Sequence, residues 1–181
     1  AKECEFVFHL AGVNRPKDEK EFMEGNFGFT SELLDLLKKH KNNSPVLITS
    51  SIQAERDNPY GKSKKAGEDL IFNYAKEVNA KAFVYRLPNV FGKWSRPNYN
   101  TVVATYCHNI ARDIEIQINA PEAELSLVYI DDVIEEFISA LEGNGNKVNK
   151  FYKVPVVHFI KLGELADLIK SFKKSRRCLL Y

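Results

Sequence analysis

Short, nearly continuous apolar runs alternate with longer segments of helical periodicity along the first half of the chain. Glu5 to Leu10 is one such run, ending at Ala11-Gly12. Val46-Leu47-Ile48-Thr49 is a second, ending at Ser50-Ser51, and Ala82 to Leu87 a third, followed by Pro88-Asn89. Runs this short and this apolar predict strands buried in a parallel sheet. Between the first two, Glu19 to Lys39 predicts a helix with Phe29, Leu33, Leu36 and Leu37 on its apolar face. Lys38, Lys39 and His40 suit its negative end, and Asn42-Asn43-Ser44-Pro45 breaks it. Asn58 is a good N-cap and Pro59 a good first helical residue. A second helix is therefore expected from Asn58 to about Val78, with Leu70, Ile71, Tyr74 and Val78 inward.

The second half predicts a helix over Thr101 to Arg112, a short strand over Ile114 to Ile118 and another over Leu125 to Tyr129. Asp131 and Asp132 suit the positive end of a following helix, whose expected apolar face is Val133, Phe137, Ile138 and Leu141. Gly143-Asn144-Gly145-Asn146 ends it. Phe151 to Val157 reads as strand-like, and Leu162 to Phe172 as a final amphipathic helix. Strand and helix in alternation, with apolar strands, describe an α/β protein with a doubly wound parallel sheet. Ligands of such sheets bind beyond the carboxyl ends of the strands. Ala11-Gly12, Ser50-Ser51 and Pro88-Asn89 all fall there.

Composition narrows the function classes. With 181 residues, 44% of them hydrophobic, the chain can bury a real core. The net charge is +2 and both signs are mixed along the sequence, so no basic stripe points to nucleic acid. The one local excess, Lys173-Lys174-Ser175-Arg176-Arg177, reads as a solvated helix end. No apolar run approaches the ~20 residues of a membrane helix, and no signal peptide is visible. Cys4, Cys107 and Cys178 are scattered and odd in number, which suits a reducing cytoplasm rather than a disulfide framework. His9, His40, His108 and His158 make no recognised metal-binding pair, so no metal is expected on this chain. His9 and the pair Cys107 and His108 read as packing residues.

Chemistry concentrates in Asn58-Pro59-Tyr60-Gly61-Lys62-Ser63-Lys64. Tyr60 and Lys64 lie four apart on one helical face near a helix N-terminus, where a phenolate gains from both the ammonium and the dipole. Lowering a phenol from its ordinary pKa of ~10 makes it a usable acid or base toward a substrate oxygen. Ser51, nine residues earlier at a strand end, supplies a hydroxyl for the same oxygen, with Ser50 as the fallback. Lys64 would hold a ribose hydroxyl while tuning Tyr60. These parts suit hydride transfer to a carbonyl beside a nicotinamide.

At these residues the sequence resembles the extended short-chain dehydrogenase/reductases that act on nucleotide sugars. His9-Leu10-Ala11-Gly12 resembles the family's cofactor-side strand end, and Asn26 matches an asparagine in the helix before the catalytic strand. Ile48-Thr49-Ser50-Ser51 resembles the serine strand, and Tyr60 to Lys64 the catalytic pair. Arg86-Leu87-Pro88-Asn89-Val90-Phe91-Gly92 resembles the segment passing nicotinamide and sugar diphosphate, and Val128 to Val133 the helix start of the substrate half. Gly92 to Thr105 is similar to the CapF-type reductases of capsular polysaccharide synthesis, which also share the short interval from Ser51 to Tyr60.

The resemblance implies catalysis by Ser51, Tyr60 and Lys64, with cofactor contacts from Ala11, Gly12, Ser50, Tyr60, Lys64 and Leu87. It implies substrate contacts from Asn89, Lys93, Arg96 and Asn98, with Arg86 in a structural role. Residues 1–92 would form a partial nucleotide-binding domain of Rossmann type with the catalytic helix, and residues 93–181 a small substrate-binding half interleaved with the sheet. The implied reaction is NADPH-dependent reduction at C4 of a UDP-4-keto-6-deoxy-N-acetylhexosamine. A C4 epimerase holding NAD and a non-catalytic binding module of the same fold remain alternatives. The family's Gly-x-x-Gly-x-x-Gly turn and its zinc-binding cupin domain are not in this sequence. The chain is therefore expected to be a fragment, with zinc on the cupin and not here. Helices 19–39 and 58–78 are the expected homodimer surface.

Overall fold

The computed structural model describes residues 1–178, with side chains as far as Ser175. It divides into two compact units. The first comprises Ala1–Leu87 and Glu135–Pro155; the second comprises Pro88–Ile134 and the chain from Val156 onward.

The first unit is built on a sheet of order β1-β2-β3-β7-β6, from Val7–His9, Val46–Ser51, Ala82–Leu87, Phe151–Tyr152 and Lys147–Val148. β1, β2, β3 and β7 run parallel, and β6 is antiparallel to β7. β2 and β3 are the buried strands, with Val46, Leu47, Val84 and Tyr85 fully enclosed. β1 is shorter than the expected Glu5–Leu10 and is not buried: it pairs with β2 on one side, and Phe8 and Leu10 are exposed. The expected strand over Phe151–Val157 stops at Tyr152.

The helix predicted over residues 19–39 is present but interrupted. α1 (Lys20–Met23) passes into a π-helical turn (Glu24–Gly28) and then α2 (Phe29–Lys39). One added residue per turn rotates the face, so Asn26, Thr30, Leu34 and Leu37 point inward. Phe29 and Leu36, expected inside, are exposed. α3 (Pro59–Glu77) begins where Asn58 predicts: the Asn58 side chain accepts from the Gly61 amide at 2.7 Å, and Pro59 occupies the first turn. Ile71 and Tyr74 join Leu34, Leu37, Val46, Ile48 and Val84 in the core between helices and sheet, with Leu70 and Val78 at its margin.

The second unit has a sheet of order β4-β5-β8, from Asn89–Phe91, Glu124–Tyr129 and His158–Lys161. The expected helix forms as α4 (Val102–Ala111), capped by Thr101, and α6 (Leu162–Cys178) packs on it through Tyr106, Ile110, Leu165, Ala166 and Ile169. Ile114–Ile118 is not a strand. No neighbour pairs with it; Ile116 and Ile118 lie against this cluster, and the Tyr106 hydroxyl donates to the Gln117 carbonyl at 2.9 Å. Its alternating isoleucines serve packing without a ladder. β8 went unpredicted because Phe159 is exposed and the strand lacks an apolar run. α5 (Ile130–Leu141) starts in the second unit and continues into the first. Val133, Glu136, Phe137 and Ala140 are buried on it, whereas Ile138 and Leu141, expected inside, are exposed. Lys173 is not simply solvated: it donates to the Ile110 carbonyl at 2.7 Å and pairs with Asp113. The side chains of Arg176, Arg177 and Cys178 lie outside the described residues.

Candidate active site

The geometry between Ser51 and Tyr60 is set by the short connector that joins them. Ser51 ends β2 in extended conformation, and its Oγ accepts from the Gln53 amide at 3.1 Å. This caps a 3-10 turn over Ile52–Glu55. Asn58 then caps α3, and Gly61 brings the helix against the turn. A Cβ on Gly61 would lie 2.4 Å from the Gln53 carbonyl oxygen and 2.5 Å from that of Arg56. Only a glycine allows that approach. The result sets the Tyr60 phenol beside the Ser51 hydroxyl, close enough for the hydroxyl to favour the phenolate. The Phe22 ring lies 5.6 Å from that of Tyr60 and covers part of it.

The electrostatics differ from the sequence expectation. Burial pushes the Tyr60 phenol up, and the Ser51 hydroxyl only partly opposes it. The Lys64 ammonium is 6.0 Å from the Tyr60 ring centroid and donates to the Thr49 carbonyl at 3.1 Å instead. Lys64 is itself 9% exposed, and burial lowers its pKa while Glu68 raises it.

Beside Lys64 lies the strand end after β1. A Cβ on Gly12 would meet Lys64 Nζ and Asn26 Oδ1, both at 2.8 Å. Ala11 and Gly12, on the chain beside the ammonium, are exposed. Asn26 sits in the π-helical turn and is 4% exposed. Its amide accepts from the Val13 N–H (2.9 Å) and donates to the Val13 carbonyl (2.9 Å) and Ser63 Oγ (3.0 Å). The asparagine thus ties the strand end to α3. Thr30 Oγ1 donates to the Asn26 carbonyl, so its oxygen is left to accept from His9 Nε2–H at 2.7 Å. Burial first, and Lys64 second, lower the His9 pKa to about 4. It is a neutral packing group, as expected.

Ser50 is not an alternative to Ser51. One residue along a strand reverses the side chain, and Ser50 Oγ donates to Glu68 Oε1 at 2.6 Å. Its side chain is 5% exposed and faces α3. Glu68 is fully buried and also receives a bidentate pair from Arg86, at 2.8 and 2.7 Å. Arg86 stacks over Phe151 at 3.9 Å and is structural, as expected. Leu87 ends β3 one residue later.

The four residues expected on the substrate side all belong to the second unit. Asn89 is exposed and donates to the Ser126 carbonyl at 3.2 Å. Lys93 pairs with Asp131 at 2.7 Å, Arg96 lies 5.5 Å over the Tyr99 ring, and Asn98 reaches Asn109 at 3.4 Å. Gly92 (φ +134°) begins this loop, where a Cβ would clash with Ile130 at 2.6 Å. Sequence reasoning passed over Gly61, Ser63 and Glu68. A glycine and a serine inside a helix carry little signal, and a glutamate four residues after a lysine reads as a surface pair. Among the described residues no cluster of His, Cys, Asp or Glu suits a metal ion, and no helix is long and apolar enough to cross a membrane.

A largely parallel sheet that sets a serine, a tyrosine and a lysine around one strand end defines a short-chain dehydrogenase/reductase type of site. The chain belongs to the NAD dependent epimerase/dehydratase family, whose model matches residues 1–154. It is 48% identical over 179 residues to a UDP-2-acetamido-2,6-beta-L-arabino-hexul-4-ose reductase of Pseudomonas aeruginosa, covering 98% of this chain and 48% of that protein. The crystal structure of the capsular polysaccharide assembling protein CapF of Staphylococcus aureus superposes with a TM-score of 0.85 at 44% identity, covering 96% of this chain and 46% of that one. The fold recurs in RMD of Pseudomonas aeruginosa, solved with NADPH, at a TM-score of 0.79 and 21% identity over 94% of this chain and 67% of that one. The chain spans about half the length of the reductase and of CapF.

Proposed function

We propose that the protein containing this chain reduces the C4 keto group of a UDP-linked 4-keto-6-deoxy-N-acetylhexosamine with NADPH, in capsular polysaccharide precursor synthesis. The observation that carries the reading is the placement of the Tyr60 phenol beside the Ser51 hydroxyl, one helical turn from a buried Lys64. The reductase relative at 48% identity supports the reaction class, and the CapF likeness the biosynthetic setting.

The residues present fit the nicotinamide-ribose end of the cofactor. Gly12 lets the strand end pass close beside the Lys64 ammonium, which would hold a ribose hydroxyl. Ala11 and Leu87 line the strand ends next to it. No Gly-x-x-Gly-x-x-Gly turn that would seat the diphosphate occurs in these 181 residues. The cofactor supplies the hydride when bound; the chain supplies the proton and the alignment. Ser51 Oγ accepts from the Gln53 amide, which fixes the hydroxyl beside Tyr60, where it would turn its proton to the keto oxygen when substrate binds. Tyr60, its pKa raised by burial, is protonated at neutral pH and is set to donate to the alkoxide that reduction creates. Lys64 then stabilises the phenolate left behind. Asn89, Lys93, Arg96 and Asn98 would bind the UDP-sugar, and any zinc would sit on a cupin domain beyond this chain.

Met23, Phe29 and Leu36 are exposed along the helix of residues 20–39, which supports a homodimer through it and α3. Cys4 and Cys107 are free thiols, which suits a cytoplasmic setting. The test is cofactor stoichiometry with the full-length protein and a UDP-4-keto sugar. One NADPH oxidised per sugar reduced is expected. Turnover without net NADPH consumption, on cofactor retained through purification, would mark an epimerase instead.

A further inference from the structure

Lys64 and Glu68 are one turn apart on the buried face of α3, at 9% and 0% exposure. Glu68 does not touch the ammonium. It is fixed by Ser50, the neighbour of Ser51, and by both prongs of Arg86, the neighbour of Leu87. Arg86 reaches further, to Glu55, on the turn that separates Ser51 from Tyr60. Charges therefore alternate from the buried Lys64 through Glu68 and Arg86 to the exposed Glu55. Every piece that must stay in register for the reaction is attached to this chain of charges: the serine strand, the connector, the catalytic helix and the strand end at Leu87.

We propose that Glu68 and Arg86 are positioning residues of the reaction, holding the Ser51–Tyr60 connector and the Lys64 helix in register. The proposal rests on the reductase reading. The groups facing Lys64 are His9 from β1, the Thr49 carbonyl from β2, Asn26 from the π-helical turn, and Tyr60 and Glu68 from its own helix. His9 is neutral above its pKa of about 4. Of these groups Glu68 is the carboxylate that raises the Lys64 pKa against the lowering by burial. Without its charge, Lys64 deprotonates at lower pH.

The test uses the full-length protein and two mild variants. Glu68→Gln keeps the shape and an acceptor for Ser50 and Arg86 but removes the charge. The Lys64 Cε shift in lysine-labelled apoprotein should then titrate at lower pH than in the wild type. The high-pH loss of kcat should move the same way, with the KM for NADPH changed less than about twofold. Arg86→Lys keeps a cation but lacks the fork that spans Glu68 and Glu55. It should fold, and its kcat should fall about tenfold, within the ~10²-fold that a ~1 Å misplacement costs. Unchanged kcat in a folded Arg86→Lys overturns the positioning role, whether or not Glu68→Gln folds. An unshifted Lys64 titration and an unchanged kcat in Glu68→Gln overturn the part assigned to Glu68. Tyr60→Phe, run in parallel, separates the two levels. A wild type that does not reduce the sugar refutes the reductase reading, whereas an active wild type, a dead Tyr60→Phe and unaffected positioning variants refute this inference alone.

Discussion

Gly61→Ala tests whether the seating of α3 on its connector sets the active geometry. Helix propensity alone predicts stabilisation, because alanine is favoured over glycine in a helix by ~1 kcal/mol. The structure predicts the opposite. The new Cβ would lie 2.4 Å from the Gln53 oxygen and 2.5 Å from the Arg56 oxygen, and the gap must widen by about 1 Å to reach the 3.4 Å of ordinary contact. Both oxygens are backbone, held in a turn capped by Ser51 and closed by the Arg56 amide on the Gln53 carbonyl, so no side chain can swing away. Overpacking of this kind costs ~1–3 kcal/mol, which meets or exceeds the propensity gain. The same ~1 Å parts Tyr60 from Ser51, and a misplacement of that size lowers kcat by ~10²-fold. Steady-state NADPH oxidation and a thermal melt of the full-length variant give both quantities. A raised melting temperature with wild-type kcat would refute the reasoning.

Three further outcomes follow from the same geometry. Because His9 is 4% exposed and its pKa is lowered from 6.5 to about 4, its protonation favours the unfolded state. The stability it maintains is complete above pH 6.5 and is lost as pH falls toward 4, at ~1.4 kcal/mol per unit. Denaturation midpoints at pH 7 and 4.5 should therefore drop less in His9→Gln than in the wild type, by roughly 2–3 kcal/mol in free energy. Asn26→Ala leaves the Val13 amide and carbonyl and the Ser63 hydroxyl without their partner, at ~1–3 kcal/mol for each group that stays dry. Hydrogen exchange at the Val13 amide should accelerate strongly and kcat should fall. Leu36→Asp places a charge on the exposed stripe of α2, and light scattering should show the mass of the assembly halved if that face pairs two copies.

Much of the first unit was legible because its two central strands, β2 and β3, are buried and its helix start is chemically marked. Val46–Thr49 and Ala82–Leu87 leave no periodicity to misread, and Asn58-Pro59 fixes the first turn of α3. Ser51 and Tyr60 approach because the eight residues between them, with a capped turn, permit little else, and Lys64 follows one helical turn later. The errors have physical causes. The π-helical turn at Glu24–Gly28 adds a residue to one turn, which rotates Phe29 and Leu36 outward and brings Asn26 and Thr30 inward. A strict 3.6-residue period cannot foresee that. The direction of the Tyr60 shift was misjudged because desolvation outweighs an ammonium that is bonded to Thr49. Glu68 was invisible as a buried group, since its partners Ser50 and Arg86 are each 18 residues away and meet it only once the strands pair. Ile114–Ile118 shows the reverse case, an alternating pattern with nothing to pair against.

The central claim, that Tyr60 is the proton donor of a keto-sugar reduction, is tested most directly by Tyr60→Phe in the full-length protein. Removing one hydroxyl leaves the ring packed on Phe22 and should not disturb the fold. The account predicts that single-turnover NADPH oxidation with a UDP-4-keto-6-deoxy sugar falls by ~10²–10⁴-fold, the usual contribution of a positioned general acid, with cofactor affinity nearly unchanged. A Tyr60→Phe protein that reduces the sugar at the wild-type rate would contradict it.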